Sequence, residues 1–139
     1  MRYFEATSTI EAPADQVWSV LQDAQAWPRW DCGIDEVNGT IAPGARITIR
    51  SKAAPGRAFP VKVTTLEPPR KLVFTGGMPL GLFKGVRTYT LSTNADGATV
   101  FTMREEYTGP LLGLIWKSIP DLSPSFVQFA EGLKKRVES

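Results

Sequence analysis

With 139 residues, 42% of them hydrophobic and 22% charged, and a net charge of +2, the chain has the composition of one folded domain rather than of a disordered segment. Its basic residues are dispersed, which excludes the electrostatic footprint of a nucleic-acid binder, and its longest apolar run, Leu111 to Trp116, is far too short to span a bilayer. It has one cysteine, Cys32, and no histidine, which excludes an internal disulfide, Ser/His and Cys/His nucleophile pairs, histidine-based metal sites and the usual proton shuttle.

Residues Arg2 to Glu11 alternate and are rich in Thr, Ile, Tyr and Phe, so they predict a first strand with Tyr3, Glu5, Thr7 and Thr9 on one side and Phe4, Ala6 and Ile10 on the other. Ala12-Pro13 stops it. From Pro13 to Asp23 the period changes, and Val17, Trp18, Val20 and Leu21 form the stripe of a first helix. A short second helix is expected at Ala26 to Asp31, where Trp27 and Trp30 share one face as core anchors.

From Ile34 to Thr108 turn signals recur and no helical period appears, so this region reads as sheet. Strands are expected at Arg46 to Ser51, Phe59 to Leu66, Lys71 to Thr75, Gly85 to Leu91 and Ala98 to Thr108, the last two joined by the hairpin loop Asn94-Ala95-Asp96-Gly97. The segment Gly76 to Phe83 is apolar and loop-like at once, which suits either a lid over a ligand entrance or packing against the helical region around Leu112 and Trp116.

Two apolar turns follow Pro110, and the chain ends on an amphipathic helix from Pro120 to Val137 whose oily face is Phe126, Phe129, Ala130, Leu133 and Val137. Asp121 or Ser123 is placed to cap it, and Lys134, Lys135 and Arg136 sit at the dipole's negative end. One long helical region bent near Pro120 is expected. The order is strand, two helices, about five or six antiparallel strands and a final helix, an α+β arrangement in a single domain over residues 1–139.

That order, together with Ile10 to Trp18 followed by Trp27-Pro28-Arg29-Trp30, Gly85 to Leu91, and Arg104 to Leu112, resembles the START-like or helix-grip (SRPBCC) superfamily, in its polyketide cyclase/dehydrase and lipid-transport branch. The resemblance implies a curved antiparallel sheet of about six to seven strands wrapped around the C-terminal helix, with two short helices between the first two strands. It also implies a cavity that takes a hydrophobic or amphipathic, lipid- or polyketide-like molecule.

Pairing Leu91 with Phe101 across the hairpin places Tyr89 opposite Met103 and Arg87 opposite Glu105, all on one face with Tyr107. The face is too apolar to be the solvent side. The candidate cavity residues are therefore Arg87, Tyr89, Phe101, Met103, Glu105, Tyr107, Trp116, Phe126 and Phe129. Arg87 and Glu105 read first as a structural ion pair and next as the polar centre of ligand recognition. An alternative function is cyclase/dehydratase chemistry using Arg87, Glu105, Tyr89 and Tyr107, weakened because arginine does not shuttle protons. A further one is a ligand-free module whose outer surface recruits a protein.

No cofactor is expected. Asp31, Cys32, Asp35 and Glu36 have neither the histidines nor the oxygen-ligand spacing of a metal site. The expected partner is a small hydrophobic molecule, without nucleic acid and without stable membrane insertion, and the default location is cytoplasmic.

Overall fold

Alternation along the first strand decides which side of the sheet becomes the core. In the computed structural model, which describes residues 1–139, β1 (Arg2–Ile10) buries Ala6, Ser8 and Ile10 and exposes Tyr3, Glu5, Thr7 and Thr9. Pro13 enters α1 (Ala14–Leu21) in extended backbone, and the helix turns Val17, Trp18 and Leu21 inward. The second helix is a 3-10 turn over Ala24–Arg29, starting two residues before its expected position. Pro28 inside it has no N–H to donate, which keeps the segment short. Trp27 is completely buried there, its indole N–H donating to Leu21 O at 3.0 Å.

Six more strands follow: β2 (Ile34–Asn38), β3 (Arg46–Ser51), β4 (Phe59–Glu67), β5 (Lys71–Gly77), β6 (Lys84–Thr93) and β7 (Thr99–Thr108). All seven form one curved antiparallel sheet in the order β1-β7-β6-β5-β4-β3-β2. The chain passes from β1 through two helical segments to the far edge and returns by successive hairpins until β7 pairs with β1. Irregular register at Ile34/Glu36 in β2 and Val63/Thr65 in β4 marks bulges, which bend the strands that carry them. The Asn94 loop sets the last hairpin, with Asn94 Oδ1 accepting from the backbone N–H groups of Asp96 (2.9 Å) and Ala98 (3.1 Å).

The closing helix is broken where a bend was expected. A single turn, α2 (Leu112–Ile115), runs into a 3-10 turn at Trp116–Ser118, and Ile119 is then extended, with φ −83° and ψ 123°. Pro120 causes the break, because its ring disfavours helical backbone at the preceding residue and it donates no hydrogen bond. Helix resumes as α3 (Ser123–Glu138), with Asp121 Oδ1 accepting from Ser123 N–H at 3.0 Å.

Helix α3 lies on the concave face and buries Phe126, Phe129, Ala130, Leu133 and Val137. Three polar links tie it to the end of β1: Ser8 Oγ donates to Ala130 O (2.9 Å), Lys134 Nζ donates to Thr9 O (2.6 Å), and Glu11 N–H donates to Glu138 Oε2 (2.9 Å). Gly132 permits a close approach on the other side, since a Cβ there would lie 1.9 Å from Asp31 O. No helix is long and apolar enough to cross a membrane.

Candidate functional site

The hairpin loop fixes the register of β6 on β7, and that register puts Arg87 directly opposite Glu105, Tyr89 opposite Met103 and Leu91 opposite Phe101. Period two carries all of these side chains to the concave face, under α3. Arg87 Nη2 donates to Glu105 Oε2 at 3.3 Å, and Arg87 Nε lies 3.2 Å from Oε1 without good hydrogen-bond alignment. The Tyr107 hydroxyl donates to the same Oε2. From above, the guanidinium rests on the Phe126 ring at 4.9 Å, a cation–π contact supplied by α3.

Burial alone would pull the Arg87 proton affinity down, but the Glu105 carboxylate and the two nearby tyrosine hydroxyls outweigh it and hold the group above its ordinary value. The Tyr107 hydroxyl is pushed up first by burial and then by Glu105. Burial also raises Tyr89. The cluster therefore keeps one cation, one carboxylate whose Oε2 already accepts two bonds, and two protonated hydroxyls. Its charges cancel within the site. The Tyr89 hydroxyl is buried without a hydrogen-bond partner, which leaves donor capacity beside Arg87.

The interior is divided along the strands. At one end Trp27, Phe74, Tyr89, Phe101 and Phe129 interlock, with the Trp27 and Phe129 rings 4.9 Å apart and those of Phe74 and Tyr89 5.5 Å apart. At the other end a cavity of about 390 Å³ opens between the sheet and α3. Six of the candidates from sequence line it: Arg87, Met103, Glu105, Tyr107, Phe126 and Phe129. Tyr89 and Phe101 belong to the packed end, where both are fully buried. Trp116 stacks on Phe4 at 5.4 Å, beside Tyr107, and braces the wall without lining it.

Beyond those candidates and the Gly76 to Phe83 segment, sequence reasoning missed the lining. Ile34 and Ile49 come from the far strands, Ala53, Ala54 and Arg57 from the β3–β4 loop, and Ile115, Ile119 and Leu122 from the broken helical segment. Ile49 carried a signal in the alternation of β3. The β3–β4 loop has no periodicity from which its position could be read.

The apolar Gly76 to Phe83 segment lies between the cavity and the start of α2. Phe83 stacks on Tyr107 at 6.0 Å and lines the cavity, while Leu111 N–H donates to Leu82 O at 3.0 Å and ties the loop to the start of α2. Its tip is strained. Leu80 is held at φ 60°, a left-handed conformation that costs a non-glycine residue about 1–2 kcal/mol, and it is 96% exposed.

The carboxylates of the Asp31 to Glu36 stretch have ordinary partners: Gln128 donates to Asp31, Lys52 pairs with Asp35 and Arg50 with Glu36. Cys32 is buried at the edge of the cavity, its Sγ 3.1 Å from Trp27 O, and burial pushes its thiol up to about 11.

A family model described as polyketide cyclase / dehydrase and lipid transport matches residues 1–138. No curated protein sequence matches the chain. Among solved structures, DynU16, from the dynemicin biosynthetic locus, superposes with a TM-score of 0.72 at 20% identity over 99% of this chain, which spans 47% of that longer one. Protein MLL2253 from Mesorhizobium loti gives 0.74 at 19% identity, covering 99% of this chain and 97% of that one. The ZhuI aromatase/cyclase from a Streptomyces species gives 0.75 at 16% identity, with 99% and 93% covered. At these identities the structures share the fold.

Proposed function

We propose, given that the chain belongs to the polyketide cyclase/dehydrase and lipid-transport family, that it holds one hydrophobic or amphipathic small molecule, lipid- or polyketide-like, between the sheet and α3. The observation that carries this reading is where the interior stays open. The cavity of about 390 Å³ lies at the end of the sheet that holds Arg87, Glu105 and Tyr107, and its volume is within the roughly 300–1,000 Å³ usual for small-molecule sites. Met103, Phe126 and Phe129 form the apolar walls. The polar cluster orients one oxygen-bearing group of the ligand.

Because Glu105 neutralises Arg87 within the cavity, the site favours a neutral polar group, such as a ketone, ester or phenol, over a second carboxylate. Phe126 over the guanidinium restricts approach from the helix side. Tyr89 and Phe101 form the packed floor behind this cluster, and Trp116 supports Tyr107.

The cyclase/dehydratase reading has one observation in its favour: Tyr107 is a protonated hydroxyl on the cavity wall, which would have to exchange its bond to Glu105 Oε2 for one to a keto oxygen. Against it, Glu105 Oε2 is already shared between Arg87 and Tyr107, so the site lacks a free base. Binding is the stronger reading, and the open cavity weighs against a ligand-free module with a filled core.

Native mass spectrometry of gently purified protein, followed by denaturation and identification of the released molecule, tests the proposal. A single apolar compound in stoichiometric amount supports it. Turnover of a poly-keto substrate that disappears in Tyr107→Phe would favour the enzyme instead.

A further inference from the structure

The segments that form the cavity's rim carry charge of one sign. Residues 52–60, 76–85 and 109–120 contain Lys52, Arg57, Lys84 and Lys117 and not one Asp or Glu; Lys52 is paired with Asp35 of β2, and the other three have no ion-pair partner. They also carry apolar side chains that the fold leaves outside: Leu80 is 96% exposed, Leu114 73%, Met78 43% and Phe59 41%. Leu80 and Met78 sit on the β5–β6 loop, and the Leu82–Leu111 hydrogen bond joins that loop to the α2 turn bearing Leu114.

Behind the loop, on the outer face of the sheet, lies a groove of about 460 Å³ lined by Arg46, Lys62, Lys84, Thr64 and Thr75, with no acidic side chain. Arg46 and Lys62 are directly opposed across β3 and β4. Like charges in that position repel, yet neither they nor Lys84 has an ion-pair partner in the protein. Pro60, Val61, Gly76 and Gly77 line both the groove and the cavity, so the two share one rim.

We infer that this rim docks on an anionic lipid surface, with Leu80 and its exposed neighbours entering the acyl boundary and Arg46, Lys62 and Lys84 meeting the phosphate head groups. Each half of the surface explains what the other leaves open. A leucine held in left-handed backbone at a loop tip, touching little of its own protein, gains from burial in hydrocarbon. Unpaired cations gain from an anionic leaflet, on the order of fivefold in binding for each one near the surface. A neutral hydrophobic partner would leave the cations without counter-charges, and free nucleic acid would leave the leucines wet.

Docking rests on these surface features alone. That the cavity, opening on the same rim, then exchanges its ligand with the bilayer rests on the proposed function.

The test is co-sedimentation of the full chain with vesicles of phosphatidylglycerol and with vesicles of phosphatidylcholine, for the wild type, Leu80→Asp and the double variant Lys62→Glu/Lys84→Glu. The wild type should pellet with the anionic vesicles, weaken as salt is raised, and stay in solution with the neutral ones. Leu80→Asp and the double variant should each lose about tenfold or more in apparent affinity, while melting temperature and binding of the neutral apolar fluorophore N-phenyl-1-naphthylamine are kept. Failure to pellet with phosphatidylglycerol overturns the inference and points instead to an acidic protein on this face. Unchanged binding of Leu80→Asp, or equal binding to neutral vesicles, also overturns it. Vesicle binding without binding of the neutral fluorophore would keep the docking and remove the cavity reading.

Discussion

Arg87 and Glu105 face each other directly across the β6–β7 ladder, with Nε 3.2 Å from Oε1 and side chains only 20% and 17% exposed. Removing the carboxylate strands a guanidinium under α3, whereas Glu106, on the outer face with Arg104, is 44% exposed. Glu105→Ala should cost about 2–3 kcal/mol in urea denaturation and Glu106→Ala under about 1 kcal/mol. Equal, small losses would mean that the pair contributes nothing to the fold.

The thiol of Cys32 sets a pH dependence. Its folded-state value, about 11, is raised by burial above the ordinary thiol range. The native state therefore keeps a proton that the unfolded state gives up, so stability is full below about pH 9 and is lost as pH rises toward 11, at about 1.4 kcal/mol per unit. The Tyr107 and Tyr89 hydroxyls, also raised, extend the loss above about pH 10. Denaturation midpoints across this range should fall more gently between pH 9 and 11 in Cys32→Ala than in the wild type; parallel curves would refute the assignment.

Two glycines in the C-terminal segment should respond oppositely. A Cβ at Gly132 meets Asp31 O at 1.9 Å, while one at Gly113 meets nothing within 4 Å. Gly132→Ala should lose about 3 kcal/mol or more by prising α3 off the β2 approach, and Gly113→Ala should be neutral or gain up to about 1 kcal/mol in thermal unfolding.

At the loop tip, Leu80→Gly should stabilise the isolated protein by about 1 kcal/mol, because glycine adopts φ 60° without a Cβ penalty and the leucine packs on almost nothing. A loss of stability would show that Leu80 packs against the body in solution.

How far the sequence speaks for itself differs from element to element. The Arg87–Glu105 pairing was legible because Asn94 to Gly97 is a loop with strong local chemistry, and one fixed turn sets every cross-strand partner on the two strands it joins. Depth along those strands was not legible. Period two puts Tyr89, Phe101 and Arg87 on one face, but only the packing of Trp27 and Phe129 decides that the first two end in solid core and the third beside a void. Strand β2 lies in the region that reads as sheet, but its bounds are not legible because Asp35 and Glu36 interrupt its alternation at a bulge. Pro120 announced a disturbance in the closing helix; the backbone restriction it places on Ile119 turned a bend into a break. The β3–β4 loop reaches the cavity through tertiary structure alone.

The central claim, an occupied cavity beside Arg87 and Glu105, is tested most directly by titrating the protein with the neutral apolar fluorophore N-phenyl-1-naphthylamine and comparing Ser125→Phe, whose new ring would enter the cavity from α3. The wild type should bind one equivalent with a Kd on the order of micromolar. Ser125→Phe should lose at least about tenfold in affinity while its melting temperature holds. Equal binding by both proteins, or none by the wild type, would contradict the account.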